Sequence, residues 1–169
     1  MKIKTFVFLF SLAASAAWSQ STVAVPLVDG LTSDGEYATS QTKNDIAVGV
    51  KLSADKSTLY LSVSATASGW IAVGVGSLKM DGAFMVLGYV DAGKPFITYE
   101  QGSGHAHSTI SPPKVSAAIT ESGGKTTLEV SMPVSNYVVK NELQVISAIG
   151  SRDDAKSRHL KRAAYTFKL

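Results

Sequence analysis

One methionine and three histidines are the side chains whose surroundings best suit chemistry. Met80 stands in Gly76-Ser-Leu-Lys-Met80-Asp-Gly82, a polar turn with glycine at each end, between two apolar runs. A thioether there has two uses. It folds back over an apolar edge, or it serves as a soft ligand of the kind that suits haem iron or copper. His105-Ala-His107 follows Gly102-Ser-Gly104. On an extended chain, residues two apart face the same way, so both imidazoles could grip one ion. As an ordinary glycine-flanked loop, the same segment would be a flexible lip over a pocket. His159 lies in Lys156-Ser-Arg-His159-Leu-Lys-Arg162, where a solvated imidazole is the default.

Other chemistries thin out quickly. The 169 residues include no cysteine, which removes thiol catalysis, zinc ribbons, iron–sulfur clusters and covalent c-type haem attachment, each of which needs a thiolate or thioether bond to cysteine. A lipoprotein anchor lacks its cysteine as well. No Gly-x-Ser-x-Gly elbow and no phosphate-binding glycine loop followed by Lys-Ser/Thr occurs. The carboxylates are scattered through turns, so no glycosidase pair stands out.

Lys2 and Lys4 precede a short apolar run that gives way to small residues around Ala17-x-Ser19. That is the pattern of a secretory signal peptide, and the run is too short for a spanning helix. Residues 1–19 are therefore expected to be removed, leaving 20–169 as one domain without stable membrane insertion, exported to a periplasm or secreted. The 16 basic and 13 acidic side chains then become 14 and 13, a net charge of +1. A nucleic-acid-binding surface is not supported by so even a balance.

The elements that must position these side chains are strands. Nine apolar or alternating runs, Asp45–Leu52, Thr58–Thr66, Gly69–Val75, Ala83–Val90, Pro95–Glu100, Lys114–Thr120, Lys125–Met132, Leu143–Gly150 and Ala163–Leu169, are separated by turn residues such as Ala92-Gly93, Ser122-Gly123-Gly124 and Ser135-Asn136. Short strands at this spacing with little helix predict an all-β chain, an antiparallel β-sandwich of the immunoglobulin-like two-sheet kind. Gln101–Pro113 reads as the longest loop and Ser151–His159 as the most charged one.

Asp29-Gly30, Asp34-Gly35-Glu36-Tyr37, Gly69-Trp-Ile-Ala-Val-Gly-Val-Gly76, Met80-Asp-Gly-Ala83 and Met85-Val-Leu-Gly-Tyr-Val-Asp91 resemble the DOMON family, a β-sandwich found in secreted redox proteins. In its haem-binding, cytochrome-like branch a non-covalent haem b is held by one methionine and one histidine. The resemblance puts Met80, ten residues after Trp70, and His159, after Ala148-Ile-Gly150, in those axial roles. Lys79, Arg158, Lys161 and Arg162 would then meet the propionates. Two protein ligands leave no open iron position, so the resemblance implies electron transfer with a redox partner protein, not an enzyme in its own right.

Two other readings remain beside it. One is a haem-free module for a carbohydrate or small molecule, with Trp70 and Tyr99 as stacking surface. The other is a copper protein using His105, His107 and a nearby methionine. The signal-peptide reading predicts a mature chain beginning near Gln20 in an extracytoplasmic fraction. An intact mass there matching all 169 residues would overturn it.

Overall fold

The computed structural model describes residues 25–37, 39–112, 114–134 and 137–169. The expected signal peptide and the turn expected at Ser135-Asn136 lie outside these. The described residues form twelve strands and no α-helix. In chain order they are β1 (Thr39–Lys43), β2 (Ile46–Leu52), β3 (Thr58–Thr66), β4 (Ile71–Val75), β5 (Phe84–Asp91), β6 (Lys94–Ser103), β7 (Ala106–Thr109), β8 (Ser116–Ser122), β9 (Lys125–Pro133), β10 (Val138–Val139), β11 (Glu142–Gly150) and β12 (His159–Lys168). Two antiparallel sheets result. One has the order β1-β2-β3-β9-β8. The other runs β10-β11-β4-β5-β6-β7, with β12 also paired to β11. The all-β sandwich expected from the alternation is the observed fold.

Alternation explains which faces meet. Leu59, Leu61, Val63 and Ala65 of β3 turn inward, beside Val48 and Val50 of β2 and Leu128 and Val130 of β9. Opposite them lie Ile71, Val73 and Val75 of β4, Val86 of β5, Val145 of β11, and Tyr165 and Phe167 of β12. Most of these side chains are fully removed from water. Each contributes roughly 1.5–3 kcal/mol relative to exposure, and with no disulfide available this burial is the main source of stability.

Tight turns set the registers. Asn44-Asp45 and Lys140-Asn141 have positive φ at both residues, as do Ala92-Gly93 and Gly123-Gly124. Two-residue turns of that hand match the twist of the strands they join.

The segment 101–113, expected to be a loop, is largely a hairpin instead. Ser103 pairs with Ala106 across Gly104-His105, and Glu100 with Thr109. All four β7 residues are exposed, so no apolar alternation marked the strand in the sequence. The same reason hid β1, four of whose five residues are exposed. That strand closes the sandwich edge: Gln41 Nε2, Lys43 Nζ and Asn44 Nδ2 donate to the carbonyls of Thr166, Ala164 and Arg162 at 3.0, 2.7 and 2.8 Å.

On the far side of the five-stranded sheet, residues 25–37 cross as a strap. Its fastening is Glu129, which points away from the core yet has no exposed surface. Its carboxylate accepts hydrogen bonds from the Tyr37 hydroxyl at 2.7 Å and from the backbone N–H groups of Asp29 and Gly30 at 3.1 and 2.9 Å. Thr120 Oγ1 donates to the Gly30 carbonyl at 2.6 Å. Burial holds the Glu129 carboxyl above its usual pKa, against the opposing pull of the three donors.

Replacing Glu129 by Ala should cost about 2–4 kcal/mol, because buried donors lose their acceptor. Tyr37→Phe should cost about 1 kcal/mol. A group with a raised folded pKa favours the folded state more as pH falls through that value. Denaturant midpoints measured from neutral pH down toward the ordinary carboxylate range should therefore decline less steeply in the parent than in Glu129→Gln.

Candidate functional site

β4 is five residues long and faces two ways. Ile71, Val73 and Val75 enter the main core, while Ala72 and Gly74 point outward. On that outer face Trp70, Ala72 and Leu87 form a second buried cluster with Tyr89, Ala148 and Ala155. Trp70 is 6% exposed. It is buried as an apolar strand residue should be, but in this outer cluster and not in the main core. The segment 151–158 closes over it. Trp70 Nε1 donates to Ser157 Oγ at 3.0 Å, its N–H donates to the Arg152 carbonyl at 3.0 Å, and Gly150 N–H donates to the Trp70 carbonyl at 2.8 Å. The indole occupies the space a side chain at Gly150 would need, so only glycine fits there. Tyr89 extends the cluster by stacking on Phe96, ring centroids 4.7 Å apart.

His159 belongs to this end of the face. It opens β12 opposite Gly150, next to a bulge. Burial, then Arg162 and Arg158, push its imidazole below the usual histidine pKa, so at neutral pH it carries a free lone pair. Of the basic residues expected to meet propionates, Arg162 pairs with Ala148 of β11 and Arg158 is exposed. Lys161 is committed elsewhere, to Asp45 at 2.5 Å. Lys79 is exposed in the turn that carries Met80.

Met80 belongs to the opposite end. Its turn leaves β4 after Val75 and folds onto β6. Gly82 N–H donates to the Gly102 carbonyl at 3.1 Å, Gly102 N–H to the Ala83 carbonyl at 2.9 Å, and Ala83 N–H to the Met80 carbonyl at 3.0 Å. Asp81 Oδ1 accepts from Gly104 N–H at 2.7 Å. A side chain on Gly102 would overlap the Met80 carbonyl oxygen and lie 3.3 Å from Met80 Cγ. The methionine thus rests, half-buried, directly on a glycine.

That glycine is the cross-strand partner of His107. Two strand positions along, Glu100 is 6% exposed and pairs with His107 Nδ1. The structure therefore gathers Met80, His107 and Glu100 around Gly102. It does not gather Met80 and His159. From Trp70 to Gly76 the chain advances about 20 Å, and β12 and β6 lie on opposite sides of β4. That is further than a thioether and an imidazole can reach through one ion. His105 sits in the Gly104-His105 turn, off the face that His107 shares. Among the described residues no three His, Asp or Glu side chains converge as a metal cluster. Glu100, Asp81 and Gly102 were not legible as site residues. Glu100 and Gly102 take their roles from the pairing of β6 with β7, and Asp81 from its bond to Gly104.

No family model matches the chain, and no curated protein matches it. Solved structures do. The cytochrome b domain of pyranose dehydrogenase from Coprinopsis cinerea aligns at 15% identity over 73% of this chain and 76% of that one, with a TM-score of 0.58. The cytochrome domain of Myriococcum thermophilum cellobiose dehydrogenase aligns at 12% identity over 73% and 74%, with a TM-score of 0.57. A family 9 carbohydrate binding module from Caldicellulosiruptor kristjanssonii, in complex with cellotriose, gives 11% identity over 83% and 80%, with a TM-score of 0.50. The sandwich is thus the fold of cytochrome b domains and of a carbohydrate binding module alike. Among the described residues no helix is long and apolar enough to cross a membrane.

Two measurements check this geometry. The His159 ring protons should titrate below the ordinary histidine pKa. Gly102→Ala should shift backbone resonances in 76–83 and 104–109, leave the Trp70 indole resonance in place, and cost about 1–3 kcal/mol through overpacking.

Proposed function

We propose that the chain is an exported, non-enzymatic module that binds haem b without covalent attachment and passes electrons to a redox partner protein. The observation that carries this reading is the sandwich shared with two cytochrome b domains. The donor chemistry supports it: a thioether and a neutral imidazole stand at the two ends of the same outer face. Met80 and His159 are the proposed axial ligands, with Arg158, Arg162 and Lys79 left to meet propionates.

The placement does not fit as folded. About 20 Å of strand separates the two ends, and Ile146 and Met85 close over Gly74 between them. Ligation by that pair would require the Met80 turn to give up its bonds to Gly102 and Gly104. Bound haem would supply a one-electron couple there.

The haem-free reading has less to rest on. Trp70 is covered, Tyr99 packs against the main core, and the one aromatic side chain lining the cleft of about 210 Å³ beside Ser40, Ser62 and Ser64 is Tyr37, whose hydroxyl is engaged by Glu129.

Titration of the purified mature chain with haemin tests the proposal. A saturable low-spin Soret spectrum, lost in Met80→Ala and in His159→Ala and kept in His107→Ala, is the expected result. Absence of haem uptake would sink the cytochrome reading. Loss of the low-spin bands in His107→Ala alone would move the second ligand to the β6–β7 hairpin.

A further inference from the structure

The cluster around Gly102 has a chemistry of its own. His107 is held by one ring nitrogen: Nδ1 meets the carboxylate of Glu100, which is almost wholly buried on the strand alongside. A carboxylate on one imidazole nitrogen fixes the tautomer and ring orientation, and turns the other nitrogen outward as a more basic donor. This is the arrangement of metal-ligating histidines. Among the described residues Nε2 has no hydrogen-bond partner, while the side chain as a whole is 36% exposed. The ring is therefore both anchored and accessible.

What stands nearest is soft. His107 and Gly102 are directly paired, so their outward positions are about 4.5–5.5 Å apart. Met80 Cγ lies 3.3 Å from the outward position of Gly102. The thioether and the His107 imidazole therefore stem from neighbouring outward positions of one hairpin. Met85, the other methionine on this face, leans away over Gly74.

Nor is the methionine turn free to wander. The bonds Gly82–Gly102, Gly102–Ala83 and Asp81–Gly104 staple it to the hairpin that carries both His105 and His107. His105, exposed in the same hairpin turn, stands next to that staple as a further imidazole at its rim. A thioether with imidazole, no thiolate, and a single carboxylate already engaged on Nδ1 selects a soft, low-charge ion over zinc, calcium or magnesium.

We propose that Met80 and His107 form a copper(I) site on the outer end of β6–β7, oriented by Glu100. The site shares Met80 with the proposed haem ligation, so copper(I) and haem compete for that thioether, but it uses the structure as it stands, with no movement of the segment before β12.

The test is anaerobic competition for copper(I) between the haem-free mature protein and a chromophoric copper(I) chelator. One equivalent should be withdrawn by the parent. His107→Ala and Met80→Leu should each weaken retention by about tenfold or more. Glu100→Gln, which keeps the shape and removes the charge on Nδ1, should weaken it by about tenfold. His105→Ala should have a smaller effect, and His159→Ala none. Circular dichroism of each variant keeps unfolding from passing for lost affinity. Parent protein that competes no better than the His107→Ala variant overturns the site, as does copper retention that depends on His159. Haemin uptake by His107→Ala separates the two readings: it survives if only the copper site is lost.

Discussion

The outer face of the seven-stranded sheet depends on how β4 divides its residues. Three β-branched side chains anchor it in the main core, and the alternation then obliges Trp70, Ala72 and Gly74 to face outward. A slip of one residue would exchange these two sets, exposing the branched residues and driving an indole into the sandwich. The register with β5 and β11 is held accordingly, Val73 opposite both Val86 and Ser147. From that single choice follow the clamp over Trp70 at one end and the start of the Met80 turn at the other.

The two sheets treat their outer faces differently. The five-stranded sheet is covered by the chain's own N-terminal strap, fastened on a buried carboxylate. The seven-stranded sheet is covered where residues 151–158 lie over Trp70 and, at the opposite corner, where the Met80 turn lies over Gly102. Glycine is essential to both coverings. Gly30 passes so close to Thr120 that a side chain would collide with backbone, and Gly102 admits the Met80 carbonyl. Each is a place where two stretches of backbone approach more closely than any side chain allows.

Strand alternation made the sandwich readable. Thr58–Thr66 was legible to the residue as β3 because one face is wholly buried and the other is not. Polar edge strands such as β7 carried no such signal. The site was half legible. Met80 stood out because a thioether in a polar turn needs an explanation, but which histidine it meets is decided by pairings across the sheet. His107 lies 27 positions from Met80 and reaches it only through the β6–β7 turn. Glu129 was illegible for a related reason: a carboxylate in mid-strand looks like a solvent-facing position until the strap that covers it is known.

The clamp over Trp70 has an optical consequence. The sequence has two tryptophans, and the other, Trp18, belongs to the segment expected to be cleaved. The mature chain would then carry one indole, sealed from water and hydrogen-bonded to Ser157. Its emission is a built-in gauge of the segment leading to His159: blue-shifted while the lid is seated, red-shifted if it lifts. Any porphyrin settling on this face would quench the same indole, so a single fluorophore reports on both occupancy and closure.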